Sequence, residues 1–79
     1  MPENMGRRIK IARARADWTQ ARLAQRVGVA IATVSRWESD EVVPRLDEVE
    51  RMAQALTVPV QYLVSGGPLP PIETKRRSK

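Results

Sequence analysis

The 79-residue chain has no cysteine and no histidine. The first absence removes disulfides and thiolate metal sites. The second removes the usual general base and the commonest zinc ligand. No metal and no cofactor is therefore expected. An enzyme would have to work with carboxylates, lysine or hydroxyls alone, and no nucleophile–base constellation or phosphate-cradling glycine loop is present to organise them, so no enzyme is expected. Phenylalanine is absent too, and two tryptophans and one tyrosine are the only aromatics. Aliphatic side chains must then fill most of the interior, and the exposed aromatic platform of a single-strand RNA binder is missing. No apolar run approaches the roughly 20 residues that span a bilayer, and Met1 to Arg8 lacks the apolar segment of a secretory signal. The expected location is the cytoplasm, with no membrane partner.

What is present suits one small domain. Apolar residues make up 42% of the chain, enough for a core near the lower size limit for independent folding. The net charge of +5 is unevenly spread. Arg7 to Arg36 holds eight bases and one acid, Asp17, a net of +7. Glu38 to Glu50 holds six acids and one base, Arg45, a net of −5. Glu73 to Lys79 holds four bases and one acid, a net of +3. Such asymmetry points to a polyanion held by one face.

The stretch from Thr19 to Glu38 organises the rest. Thr19 is placed to cap a short helix with its hydroxyl, and Leu23, Ala24 and Val27 give that helix an apolar face. Gly28 follows, the residue that leaves a helix through a left-handed conformation at least cost. A second short helix then turns Val29, Val34 and Trp37 inward. It leaves Ala30, Ile31, Ala32, Ser35 and Arg36 outward, an arrangement that predicts a helix-turn-helix reading DNA.

Around this unit the chain divides into an arm at residues 1–5, a domain at 6–65 and a flexible basic tail at 66–79. A first helix is predicted from Asn4 or Gly6 to Ala16, capped by Asn4, with Ile9, Ala12 and Ala16 on one face. Arg13 adjoins that face, and its burial would require an acidic partner. Asp17 and Trp18 link into the next helix, with Trp18 read as a core residue. The run S-D-E-V-V-P-R reads as a loop, in which Pro44 blocks helix. Leu46, Val49, Met52, Ala53 and Leu56 form the inward stripe of a fourth helix, with Asp47 and Glu48 favourably placed in its first turn. A fifth begins near Pro59 and ends near Val64. Val58, Val60, Tyr62, Leu63 and Val64 exceed what the inside of so short a helix needs; the surplus marks an interface or closes the core.

The residues Arg13, Thr19-Gln20, Leu23-Ala24, Val27-Gly28-Val29, Thr33 to Glu38, Pro44, Leu46, Ala53, Leu56, Val58 and Leu63 together resemble the lambda-repressor-like, Cro-type (XRE) helix-turn-helix family. The resemblance covers nearly everything from residue 6 to 65. It implies an all-α, five-helix DNA-binding domain whose third helix enters the major groove. Carried over by position, Ile31, Ala32, Ser35 and Arg36 face the groove, Gln20 and Thr33 hold phosphates, and Arg45 lies near the minor groove. Arg13 and Glu38 match a pair that forms an internal salt bridge in relatives. The chain departs from the family pattern at Ile31 and Ala32, where well-known phage members carry glutamine. It departs again at Ala30, in place of a Ser or Thr cap, and at Asp40 and Thr57, which take common glycine positions.

The expected partner is double-stranded DNA, bound by a repressor at the nucleoid. Arg36 is the expected guanine reader, Ile31 and Ala32 are suited to a thymine methyl, and Ser35 to either kind of base. Arg7, Lys10 and Arg22 join Gln20 and Thr33 at phosphates. One headpiece with one clear hydrogen-bonding base reader predicts a homodimer on an inverted repeat, joined around Val60, Tyr62 and Val64. The alternative is an antitoxin or bridging module that docks its acidic Glu38–Glu50 face on another protein.

Overall fold

A computed structural model describes residues 5–69, in which five helices follow one another: α1 Met5–Arg15, α2 Gln20–Val27, α3 Ile31–Glu38, α4 Leu46–Leu56 and α5 Val60–Ser65. No strand occurs among the described residues, and none of their helices is long and apolar enough to cross a membrane. The core is where the apolar stripes converge. Ile9 of α1, Leu23 of α2, Val34 and Trp37 of α3, Met52 of α4 and Leu63 of α5 are its largest fully buried side chains. Helix α3 packs against α1 and α2, while α4 bridges α2 to α5 and α5 returns to α1. The helix-turn-helix is thus held from behind by α1 and α4, which α5 ties to each other.

Local chemistry sets the helix ends. Thr19 Oγ1 accepts the Arg22 N–H at 3.1 Å, so α2 starts there. Gly28, at φ 88, closes α2 in the left-handed conformation. Its N–H donates to Ala24 O at 2.8 Å, as does that of Val29 at 3.0 Å. Helix α4 ends on Thr57, at φ 59 and ψ 48, a left-handed conformation carried by a β-branched residue. Asp40 also turns the chain in the left-handed region, at φ 64. Its Oδ1 accepts the Gly6 N–H at 2.9 Å, so a carboxylate beyond α3 meets the electropositive start of α1. The approach is close. A Cβ on Gly6 would stand 2.5 Å from Trp37 O and 2.6 Å from Glu38 O.

The structure revises several expectations. Met5, assigned to the arm, begins α1 and is buried; the rest of the arm, including the Asn4 cap, lies outside the described residues. Leu46 is not part of the inward stripe but 65% exposed. It is the first residue of α4, and the buried residue at this end of the helix is Pro44, two positions before it. Trp18 packs against the core as expected but is only half-buried, its ring lying under the guanidinium groups of Arg22 and Arg26 at 5.1 and 5.3 Å. Pro59 caps α5 instead of entering its first turn. Leu69, placed in the tail, packs partly buried against the core; the tail beyond it lies outside the described residues.

Candidate nucleic-acid interface

Helix α3 is short and two-sided. Its inner face sinks Val34 and Trp37 fully into the core. Ala30 precedes it in an extended conformation and provides no side-chain cap, so its carbonyl, accepting from Thr33 N–H at 3.0 Å and Val34 N–H at 3.3 Å, starts the helix unaided. On the outer face Ile31, Ala32, Ser35 and Arg36 are all exposed, Ile31 to 53%. They form two adjacent i, i+4 pairs, Ile31 with Ser35 and Ala32 with Arg36, so the four project as one ridge. A helix about 10–12 Å across matches a B-DNA major groove about 12 Å wide.

A buried ion pair orients this ridge. Arg13 Nε donates to Glu38 Oε2 at 2.6 Å, and a second guanidinium nitrogen reaches Oε1 at 3.1 Å. The two side chains retain 16% and 4% of their exposure. The remaining Arg13 nitrogen donates to Trp18 O at 2.7 Å, and Gln20 Nε2 donates to Glu38 Oε1 at 3.0 Å. One carboxylate at the end of α3 therefore gathers α1, the α1–α2 link and the first residue of α2. Planar, bidentate geometry makes such a contact directional as well as strong.

The other expected contact residues lie on several elements. Arg7 and Lys10 are exposed on α1, Arg22 is exposed on α2 with its guanidinium over Trp18, and Thr33 and Gln20 are half-buried. Gln20 spends one amide hydrogen on Glu38 and keeps another, since the amide carries two. Arg45 is exposed, 3.6 Å from Asp47 and 3.7 Å from Glu48. Of the residues expected at a dimer interface, Tyr62 is buried in this chain's own core, Val60 is half-buried, and Val64 is 39% exposed.

Sequence reasoning passed over the Gln20–Glu38 bond, the Asp40 cap on α1 and the Arg8 clasp. In the last, Arg8 Nε donates to Leu63 O at 3.2 Å and another of its nitrogens to Val64 O at 3.1 Å. A signal existed only for Asp40: a carboxylate kept at a left-handed turn invites the question of what it caps.

Comparison with known proteins places these features in a family. The helix-turn-helix domain family matches residues 4–63. Repressor protein C2 of Salmonella phage P22 is 34% identical over 62 residues, which make up 78% of this chain and 29% of that protein. The chain thus spans under a third of the length of the curated relative it matches. Two solved structures of the P22 c2 repressor are similar. One is a crystal structure in complex with a synthetic operator: TM-score 0.75, 33% identity, covering 80% of this chain and 96% of that one. The other is a solution structure of its DNA-binding domain: TM-score 0.77, 32% identity, covering 84% and 87%.

Proposed function

Because the chain belongs to the helix-turn-helix domain family, as a lambda-repressor-like member, we propose that it is a sequence-specific repressor of transcription that reads double-stranded DNA with α3. The observation that carries this reading is the ridge of Ile31, Ala32, Ser35 and Arg36, bare on one side of a helix whose other side is locked in the core. The P22 repressor, similar in sequence and fold, was solved on an operator duplex.

In this reading α3 lies in the major groove, and Arg36 donates twice to guanine O6 and N7. Ser35 bonds to a neighbouring base edge. The free amide hydrogen of Gln20, the Thr33 hydroxyl and the cations of Arg7, Lys10 and Arg22 hold phosphates, which position the domain without reading sequence. Arg45 turns to the minor groove; at 76% side-chain exposure its contacts of 3.6 and 3.7 Å to Asp47 and Glu48 are well solvated and cost little to give up. Two copies bind one inverted repeat, with half-sites about 34 Å apart. Since Tyr62 and much of Val60 serve the core, the contact between copies centres on Val64.

The test compares operator with random duplex. Arg36→Ala should lower operator affinity about 5- to 150-fold per half-site, following the discrimination of one bidentate contact of about 1–3 kcal/mol, with little further loss on random DNA. Equal proportional losses on both would refute the base-reading role. Gln20→Ala should weaken both duplexes alike.

One observation favours a second reading. Val42, Val43 and Leu46 are exposed apolar residues set among Glu41, Asp47 and Glu50, which suits an antitoxin or bridging module with a protein partner. Such a module would show salt-sensitive DNA binding with no ranking of sequences.

A further inference from the structure

We propose that the outer side of α2 carries a phosphate clamp, in which the Trp18 ring holds Arg22 and Arg26 in place for the backbone of bound DNA. The inference rests on the reading of α2 and α3 as the DNA-binding pair. That reading gives Arg22 a phosphate but leaves Arg26 and Trp18 without a task.

Trp18 is a fixed platform. Its side chain packs against the core while staying half-buried. Its backbone is tied to Arg13, whose O accepts the Trp18 N–H at 3.1 Å and whose guanidinium donates to Trp18 O at 2.7 Å. Over its ring lie the guanidinium groups of Arg22, 5.1 Å from the centroid, and Arg26, 5.3 Å from it. The two arginines stand at i and i+4 on the exposed side of α2, where like charges repel. Among the described residues neither pairs with a carboxylate. Two cations are thus gathered on one ring without an anion, an arrangement that an arriving phosphate stabilises.

The ring also prepares the grip. Attraction to its electron-rich face restrains two side chains that otherwise sample many rotamers, so less freedom is lost when they close on an anion. A guanidinium lying over a ring keeps N–H donors turned away from it, and those donors match phosphate oxygens. In a helix-turn-helix the first of the two helices crosses the DNA backbone while the second enters the groove. Arg26 stands six residues after Gln20, so the clamp extends the phosphate contact at the start of α2 by about 9 Å along the helix. Such contacts carry no base information, and Trp18, which touches no DNA itself, is a positioning residue that raises affinity for every sequence alike.

Fluorescence-anisotropy titrations of the full chain test this on the tightest duplex recovered from a random pool and on a random duplex, at about 50 to 200 mM salt. In Arg26→Ala the slope of log affinity against log salt should shrink by about 0.9 for each bound copy, and affinity near 0.15 M salt should fall about fivefold on both duplexes. In a Trp18→Leu background Arg26→Ala should cost less than about twofold, whereas in Trp18→Phe, which keeps an aromatic face, it should again cost several-fold. A tryptophan with only a packing role would lower Tm yet leave the Arg26→Ala loss the same in all three backgrounds. That result overturns the proposal, as does an unchanged salt slope in Arg26→Ala or a loss confined to the selected duplex. The slope needs no change at Trp18, so it decides even where Trp18→Leu fails to fold. A reduced slope without any sequence preference supports the clamp and sinks the function proposed above; sequence preference with an unchanged slope does the reverse.

Discussion

Replacing Glu38 with alanine should remove a large share of the fold's stability, and the structure fixes the scale. Glu38 retains only 4% of its side-chain exposure and accepts three hydrogen bonds, two from Arg13 and one from Gln20. Its removal leaves the Arg13 guanidinium, 16% exposed, without its carboxylate. Breaking a buried pair from one side costs about 3–5 kcal/mol. A chain of this length is stable by only about 4–12 kcal/mol at 0.05–0.15 kcal/mol per residue. Urea unfolding followed by far-ultraviolet circular dichroism should show the midpoint falling with the slope unchanged. A double-mutant cycle separates the pair from its surroundings. With Arg13→Met added, the double variant should be less destabilised than the sum of the two single changes, by about 1–3 kcal/mol. A Glu38→Ala loss below about 1 kcal/mol, or strict additivity with Arg13→Met, would refute the claim that this carboxylate ties the three helices together.

Three further outcomes follow from backbone geometry. Gly6→Ala should destabilise by about 1–3 kcal/mol in thermal melts despite alanine's higher helix propensity, because the new carbon meets the Trp37 and Glu38 carbonyls; unchanged stability would contradict that approach. Asp40→Ala should cost about 1–2 kcal/mol through the lost Gly6 contact, whereas Asp40→Asn, which keeps an acceptor and tolerates φ 64, should cost much less. Thr57→Gly should stabilise by about 1 kcal/mol, raising Tm by roughly 4–8 °C, since it relieves a left-handed β-branched residue at an exposed helix end. A drop in Tm would show that the threonine side chain stabilises the fold by more than its backbone strain costs.

The helix-turn-helix was legible in the sequence because its signals are local. A hydroxyl before a helix, a glycine after it, and apolar residues at a 3.6-residue period need no knowledge of the rest of the chain, and they place α2, the Gly28 turn and the outward face of α3. Periodicity misleads at Leu46, which has the right spacing but sits in a first turn with nothing opposite it. Trp18 follows its composition only in part: it packs against the core, but it is half-buried and two arginine guanidinium groups lie over its ring. What stays hidden are contacts across long separations. Asp40 reaches Gly6 over 34 positions, and Arg8 reaches Leu63 over 55. No local pattern distinguishes Arg8 from a solvated arginine, and the turn at Asp40 hints at a cap without naming its partner. The Arg13–Glu38 pair, 25 positions apart, is expected only through the family resemblance.

The central claim is that the outer ridge of α3 reads base sequence. Selection of bound duplexes from a random pool tests it most directly, at two salt concentrations so that phosphate attraction is separated from readout. The account predicts enrichment of one sequence arranged as an inverted repeat, its half-sites about one duplex turn apart. Recovery of duplexes with no shared sequence, bound tightly at low salt and lost at high salt, would contradict it.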